Sequence, residues 1–368
     1  MRDVLDEVLR HYEAGSPVAL ATVVATFSSA PRAAGASMVV AVDGTVAGSV
    51  SGGCVEGAVY ELGREVLETG RPVLQRYGVS DDDAFAVGLT CGGIIDIYVE
   101  RIDRETFPAL ADLAESVRAE IPVAVATVVA HPDRIGRRIV VWPDRVAGTT
   151  GSDRVDAAVI DDVRGLLAAG RTGSVGYGPD GERRGEGMSV FVNSFEPAPR
   201  MLVFGAIDFA AAMARLGTYL GYRVTVCDAR PVFATVSRFP GAHEVVVDWP
   251  HRYLSAELAA GRVDERTAVT VLTHDPKFDV PVLEIALRSK LGYIGAMGSR
   301  RTHTDRMSRL RAAGLTEAEL ANLASPIGLD LGARTPEETA VSIAAEIIAL
   351  RWGGGGDRLS VLDGRIHG

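Results

Sequence analysis

Residues 17–25, PVALATVVA, form an apolar run of strand length. Residues 122–130, PVAVATVVA, repeat it at an offset of 122 − 17 = 105, with eight of nine positions identical. Short apolar runs rich in β-branched residues read as buried strands. A second match, LETGRPVLQRYG at 67–78 against LAAGRTGSVGYG at 167–178, lies at an offset of 100. Its shared pieces are a helix end, Gly-Arg and a closing Tyr-Gly. Between the two matches, VAG at 46–48 and VAG at 146–148 keep the offset of 100. The pattern predicts an internal duplication of a strand–strand–helix–strand unit within residues 1–195. Each copy closes on a further strand, IIDIYVERI at 94–102 and MSVFVNSFE at 188–196.

FEPAPRM, 195–201, carries two prolines and reads as a linker. After it the pattern changes to alternating strands and helices. MLVF is a strand, Gly205 a turn, and Phe209 to Leu220 has helical spacing. Strands then read at RVTVCD, 244–249, 268–274 and 292–297, with helices near 253–260, 281–290 and from about 302. This alternation predicts a doubly wound parallel sheet. TPEETAVSIAAEIIALR opens with Thr335, Pro336 and Glu338 as a capping box, and WGGGGDRLSVLDGRIHG reads as a loose tail. The expected fold class is α/β, with a C-terminal Rossmann-like doubly wound parallel sheet and an N-terminal α/β domain built from the duplication. The expected domains are 1–195 and 201–351, followed by a tail over 352–368.

The 368-residue composition is globular, 47% hydrophobic and 23% charged, with a net charge of −10. That balance argues against a basic nucleic-acid-binding face. No apolar run approaches the roughly 18 residues of a membrane span. MRDVLDEVLRHYEAG reads as an amphipathic helix with acids in it, not a signal peptide. Three cysteines argue for a reducing, cytoplasmic setting, and the absence of CxxC argues against structural zinc or iron–sulfur clusters.

The chemistry concentrates in GSVSGGCVEG, 48–57. Gly52 and Gly53 lead into Cys54, and helical spacing follows. A thiol at a helix N-terminus is placed where the thiolate is favoured, and glycines let backbone approach an anion closely. Glu56 is either a first-turn carboxylate suited to the helix dipole or a proton-handling group. The competing reading is a buried, inert cysteine in a tight turn. The duplication helps here: GSDRVD at 151–156 stands opposite SGGCVE, with Arg154 opposite Cys54. GLTCGG at 88–93, with Cys91 and Gly92, also lacks a counterpart. Packing alone would have served both copies with similar residues, so the difference favours a functional Cys54 and Cys91.

In the second half, the turn at 205–210 departs from a dinucleotide fingerprint, because Ile207 stands where the middle glycine would admit a pyrophosphate. Asp228, 228 − 205 = 23 residues after Gly205, is spaced as a ribose-binding acid. Cys227 reads as core. GAMGSRRTHTDR, 295–306, follows a strand and opens a helix, so Gly298, Ser299, Arg300 and Arg301 are expected to hold a phosphate. The alternative for the arginines is a solvated first turn. Asp228, Arg230, His274 and Asp275 follow strands and should face the same crevice, with His274 a general acid or base. PIGLDLGA, 326–333, reads as a loop over that crevice, with Asp330 as a contact.

SGGCVE, TCGG, GAMGSRRT and PIGLDLGARTPEE, in this order, resemble the xanthine dehydrogenase accessory family of XdhC/CoxI type. The resemblance runs from about 17 to 351. It implies a chaperone of the molybdenum cofactor, in its molybdopterin or dinucleotide form. Such a protein supports exchange of an oxo for a sulfido ligand with a cysteine desulfurase and delivers the cofactor to a xanthine dehydrogenase-type molybdenum hydroxylase. It also implies Cys54 as the thiol contacting molybdenum or sulfur, Cys91 as a second one, and Gly298 to Arg301 as the phosphate cradle. The family turn resembles GAGHVA; here Ile207-Asp208-Phe209 replaces Gly-His-Val. On this reading the two domains clamp one ligand, and a homodimer is among the assemblies it allows. The competing readings are an NAD(P)-dependent oxidoreductase, favoured by Asp228 and opposed by Ile207, a component of a xanthine dehydrogenase system, and a non-catalytic interaction protein.

Overall fold

The computed structural model describes residues 1–27, 32–78, 93–178, 180–183, 185–273 and 275–362. These divide into two compact units, 1–197 and 198–362.

The first unit contains the duplication, and the repeat is longer than the sequence matches indicate. Copy one runs α1 (Leu5–Glu13), β1 (Val18–Phe27), β2 (Ser37–Ala41), β3 (Val46–Gly48), α2 (Glu56–Thr69), β4 (Val73–Tyr77) and β5 (Ile94–Ile102). Copy two runs α3 (Leu110–Arg118), β6 (Val123–Ala130), β7 (Arg138–Val141), β8 (Val146–Thr149), α4 (Asp153–Ala168), β9 (Gly173–Tyr177) and β10 (Met188–Phe195). The expected strand–strand–helix–strand unit thus gains a leading helix and a further short strand. The sheet orders are β3-β2-β1-β5-β4 and β8-β7-β6-β10-β9, the same order shifted by five, and every pairing is antiparallel.

The continuous apolar run of β1 and β6 follows from burial on both faces of each sheet. Alternate residues point to opposite sides. Ala19, Ala21 and Val23 meet α2, while Val18 and Leu20 enter a core shared with the other copy. In copy two, Ala124, Ala126 and Val128 meet α4, and Val123 and Val125 enter the shared core. Leu5 and Val8 of α1 and Leu110 and Leu113 of α3 fill that core. One glycine is demanded twice. A Cβ on Gly48 would lie 2.3 Å from the Ser37 carbonyl oxygen, and one on Gly148 2.4 Å from that of Arg138.

The second unit is one parallel sheet. Its elements are β11 (Arg200–Phe204), α5 (Asp208–Tyr219), β12 (Arg223–Cys227), β13 (Glu244–Val246), α6 (Pro250–Ala259), β14 (Ala268–Val271), α7 (Pro276–Leu287), β15 (Tyr293–Ala296), α8 (Arg300–Ala312), α9 (Glu317–Leu320), β16 (Leu323–Ala324) and α10 (Pro336–Trp352). The order β13-β12-β11-β14-β15-β16 is the Rossmann order, and it reverses between β11 and β14. Met201 and Val203 of β11 face α5 and α10, whereas Leu202 and Phe204 face α6, α7 and α8. The helix expected at 281–290 begins earlier, at Pro276, because Asp275 caps it and proline is tolerated in a first turn. Cys227 is core, and burial pushes its thiol up to about 12. Residues 353–362 beyond α10 are exposed.

Candidate functional site

In the first unit the loop between β3 and α2 is closed by its own side chains. The Glu56 carboxylate accepts from Ser49 Oγ at 2.6 Å, Ser51 N at 2.9 Å, Ser51 Oγ at 2.5 Å and Gly53 N at 2.8 Å. Gly52 N donates to Ser49 Oγ at 3.0 Å, and Cys54 N and Val55 N donate to Ser51 Oγ at 2.9 and 3.0 Å. Five consecutive N–H groups, Ser51 to Val55, are therefore engaged inside the loop. Gly52 and Gly53 have φ of +77° and +118°, a region closed to most side chains. Burial raises the Glu56 pKa, but the hydroxyl and amide donors outweigh it and bring the group down to about 2. The place the glycine turn was expected to offer an incoming anion is taken by this carboxylate.

Cys54 sits one residue before the N-cap of α2 and is half-buried, packed against the cluster of Val50, Val55 and Val59. It is not in a disulfide. The loop holds it at the surface end of the helix on a backbone fixed from both sides. Cys91 and Gly92 lie outside the described residues. Copy two repeats the brace without the thiol. Asp156 accepts from Thr149 Oγ1 at 2.6 Å, from Thr150 N at 2.8 Å and from the Thr150 hydroxyl.

In the second unit the described ones among the remaining predicted residues sit at the carboxyl ends of the parallel strands, where such sheets place ligands. Gly205 follows β11 with φ +113°, and a Cβ there would lie 3.0 Å from Thr273 N. Ile207 caps α5 and packs into the core beside it, and Ala210 is buried where α5 meets the sheet. Asp228, after β12, is buried and committed within the protein. It accepts from Ala206 N at 2.8 Å and from Arg230 Nε and a terminal guanidinium nitrogen at 2.9 and 2.7 Å. Burial raises its pKa, yet the Arg230 guanidinium and the two backbone donors hold it below the ordinary value. Arg230 stacks 4.7 Å from the Phe233 ring centroid. Asp275 caps α7 through Lys277 N and pairs with Lys277 Nζ at 3.0 Å. His274 lies outside the described residues.

After β15, Gly298 leaves room that a side chain would fill, since a Cβ would lie 2.9 Å from Thr302 Cγ2. Ser299 is the N-cap of α8 and accepts from Thr302 N. Arg300 and Arg301 occupy the first turn, both exposed, with no ion-pair partner among the described residues. Helix N-termini favour anions, and two exposed guanidiniums add to that field. Asp330, in the 326–333 loop, is exposed; the loop is tied to α10 by Leu329 N to the Ser342 carbonyl and Gly328 N to Glu346.

A network that sequence reasoning missed lies beneath the arginine turn. Arg306, buried on α8, donates to Asp279 Oδ2 at 2.9 Å, to the Met297 carbonyl at 2.6 Å and to Ser325 Oγ at 3.0 Å. Thr273 donates to the other Asp279 oxygen, and His303 meets Ser325 Oγ at 3.0 Å. The network joins the segments after β14, β15 and β16 and fixes the entry of α8. In the sequence these are single charges on helices, a pattern that usually marks a solvated face. Among the described residues, no helix is long and apolar enough to cross a membrane, and no group of three or more His, Cys, Asp or Glu is placed to hold a metal ion.

Comparison with known proteins agrees with both halves of this architecture. The XdhC Rossmann domain family matches residues 201–347. The XdhC and CoxI family matches two stretches, 11–78 and 116–178, one in each copy of the duplication. A Bacillus subtilis protein named as a probable xanthine dehydrogenase subunit is 31% identical over 95% of this chain and 96% of its own length. The molybdenum cofactor insertion chaperone PaoD of Escherichia coli is 28% identical over 95% of this chain and 88% of its own. A crystal structure described as a xanthine dehydrogenase from Bacillus halodurans superposes with a TM-score of 0.70 over 97% of each chain at 23% identity, a likeness of fold. The chain belongs to the XdhC and CoxI family.

Proposed function

We propose that this protein binds molybdenum cofactor as cargo, supports its sulfuration with a cysteine desulfurase, and delivers it to a xanthine dehydrogenase-type molybdenum hydroxylase in the cytoplasm. The observation that carries the reading is the pair of exposed guanidiniums, Arg300 and Arg301, without ion-pair partners among the described residues, on the first turn of α8 at the carboxyl end of the sheet. Cationic forks beside a helix N-terminus suit the phosphate of a pterin cofactor. Gly298 and Ser299 complete that cradle, and Arg306 with Asp279 holds it rigid. Cys54 supplies a soft sulfur donor of the kind a sulfur-ligated metal prefers. Cys91 and His274 keep the roles expected of them, a second thiol and a proton donor or acceptor. The relative named as a cofactor insertion chaperone supports the same reading.

The main alternative, a nicotinamide-dependent oxidoreductase, has less support. Ile207 fills the place of the glycine that lets a pyrophosphate approach, and the Asp228 carboxylate is spent on Arg230 and Ala206 N rather than open to a ribose. Transfer is the direct test of the proposed role. Protein purified from molybdenum-replete cells is expected to restore activity to a cofactor-free hydroxylase of the xanthine dehydrogenase type. Restoration that is equal with and without the protein would end the delivery reading. Titration of NADH, followed by its fluorescence, decides the alternative.

A further inference from the structure

Two hollows in the first unit are related by the duplication. The larger, about 490 Å³, lies between the end of β5 with its linker to α3 and the β6–β7 hairpin of the other copy. The smaller, about 390 Å³, lies between the β1–β2 hairpin and the end of β10, again one element from each copy. The strand registers give the equivalent positions. Leu20 faces Glu100 and Val125 faces Asn193, so Glu100 corresponds to Asn193. Thr22 faces Ser37 and Thr127 faces Arg138, so Ser37 corresponds to Arg138.

The larger hollow therefore holds a buried ion pair whose equivalents in the other copy are neutral, Asn193 on the wall of the smaller hollow and Ser37 directly after a wall residue in sequence. Arg138 donates to Glu100 Oε2 at 2.6 Å, and the side chains are 8% and 9% exposed. Burying two charges carries a desolvation penalty that their attraction must offset. Asn193 and Ser37 show that this architecture closes without them, so packing does not account for the charges. One nitrogen of that pair and one neighbouring guanidinium have no partner among the described residues. Arg138 Nε is buried with no hydrogen-bond partner among the described residues, and such groups are ordinarily satisfied. Arg137, on the rim, is exposed and has no ion-pair partner among the described residues. Phe107, whose ring centroid lies 4.4 Å from the Arg138 guanidinium, and Val140 provide an apolar wall.

We propose that the larger hollow is a binding site for a small organic anion, an apolar body with a single carboxylate or phosphate head. Its volume lies within the range of small-molecule pockets, roughly 300–1,000 Å³. Arg137 on the rim receives the head, the buried Arg138 guanidinium lies behind the wall, the body lies along Phe107 and Val140, and Glu100 disfavours a second anionic group. Gly70 and Pro72 on its wall place it at the opposite end of α2 from Cys54, roughly 20 Å away by helix rise. It is thus a site separate from the thiol loop.

The test uses the full chain and ¹⁹F NMR of 4-fluorobenzoate and 4-fluorophenyl phosphate, with neutral 4-fluorobenzamide as the third arm. At least one of the two anions is expected to broaden and shift saturably, which also tells carboxylate from phosphate. The amide is expected to bind at least about tenfold more weakly, as are the anions in Arg137→Gln, which removes an exposed cation, and in Ala147→Phe, which fills the hollow. Far-UV circular dichroism checks that both variants are folded. No response to either anion, equal binding of the amide, or unchanged binding in the folded variants would overturn the proposal.

Discussion

Glu56 and Asp156, 100 residues apart, close equivalent loops in the two copies of the duplication, each carboxylate accepting from the hydroxyl and amide groups just before its own helix. The brace is shared, and the thiol is not. Cys54 is thus an addition to a loop that closes without it, since Arg154 stands at the same place in the second copy.

The brace predicts a stability dependence on pH. Glu56 is held down to about 2 in the folded protein against an ordinary 4.5. Its contribution is therefore fully present above pH 4.5 and lost as pH falls toward 2. Glu56→Ala is expected to cost about 2–3 kcal/mol at pH 7, the order of charge-assisted hydrogen bonds removed together. Urea unfolding of wild type and variant across pH 2.5–7 should show the gap narrowing with acid, and a constant gap would rule out the carboxylate as its source.

Cys54→Ala separates chemistry from folding. A half-buried thiol replaced by a methyl group should shift stability by less than about 1 kcal/mol. Maturation of a target hydroxylase should fall to the level seen without the protein. A variant that matures its target as well as wild type removes the thiol from the mechanism.

Much of the architecture was legible because it was written twice. PVALATVVA and PVAVATVVA exposed the duplication, and the strand–helix alternation after Met201 exposed the parallel sheet. The first leading helix was legible from its apolar spacing but not as part of the repeat, because LDEVLRHYE and LADLAESVR share only that spacing, which is what the common core requires. The reading of SGGCVE found the turn but not its occupant, since nothing in a string of residues says that Glu56 folds back onto Ser49 and Ser51. Asp279 and Arg306 were hidden for the same reason, because a charge becomes a buried partner only through tertiary packing.

That buried pair predicts a sharp asymmetry. Asp279→Asn alone leaves Arg306 uncompensated and is expected to cost about 3–5 kcal/mol. Asp279→Leu combined with Arg306→Met should cost clearly less, because no charge is left buried. Urea denaturation of the full chain reads both, and equal losses would show that the pair contributes only by its shape.

The arginine turn should matter to cargo and not to the fold. Arg300→Gln with Arg301→Gln removes two exposed charges that have no ion-pair partner among the described residues, so the thermal midpoint is expected to stay within a few degrees of wild type. Copurifying pterin, measured by fluorescence after oxidation, should drop at least about tenfold. Unchanged pterin would move the phosphate cradle elsewhere.

The account rests on this chain carrying molybdenum cofactor, and one measurement addresses that directly. Wild-type protein purified from molybdenum-replete cells is analysed for metal by mass spectrometry and for pterin by fluorescence. Molybdenum and pterin in equal amounts, both absent when cofactor synthesis is blocked, are the predicted result. Protein free of both, from cells that fill a known molybdenum enzyme, would contradict it.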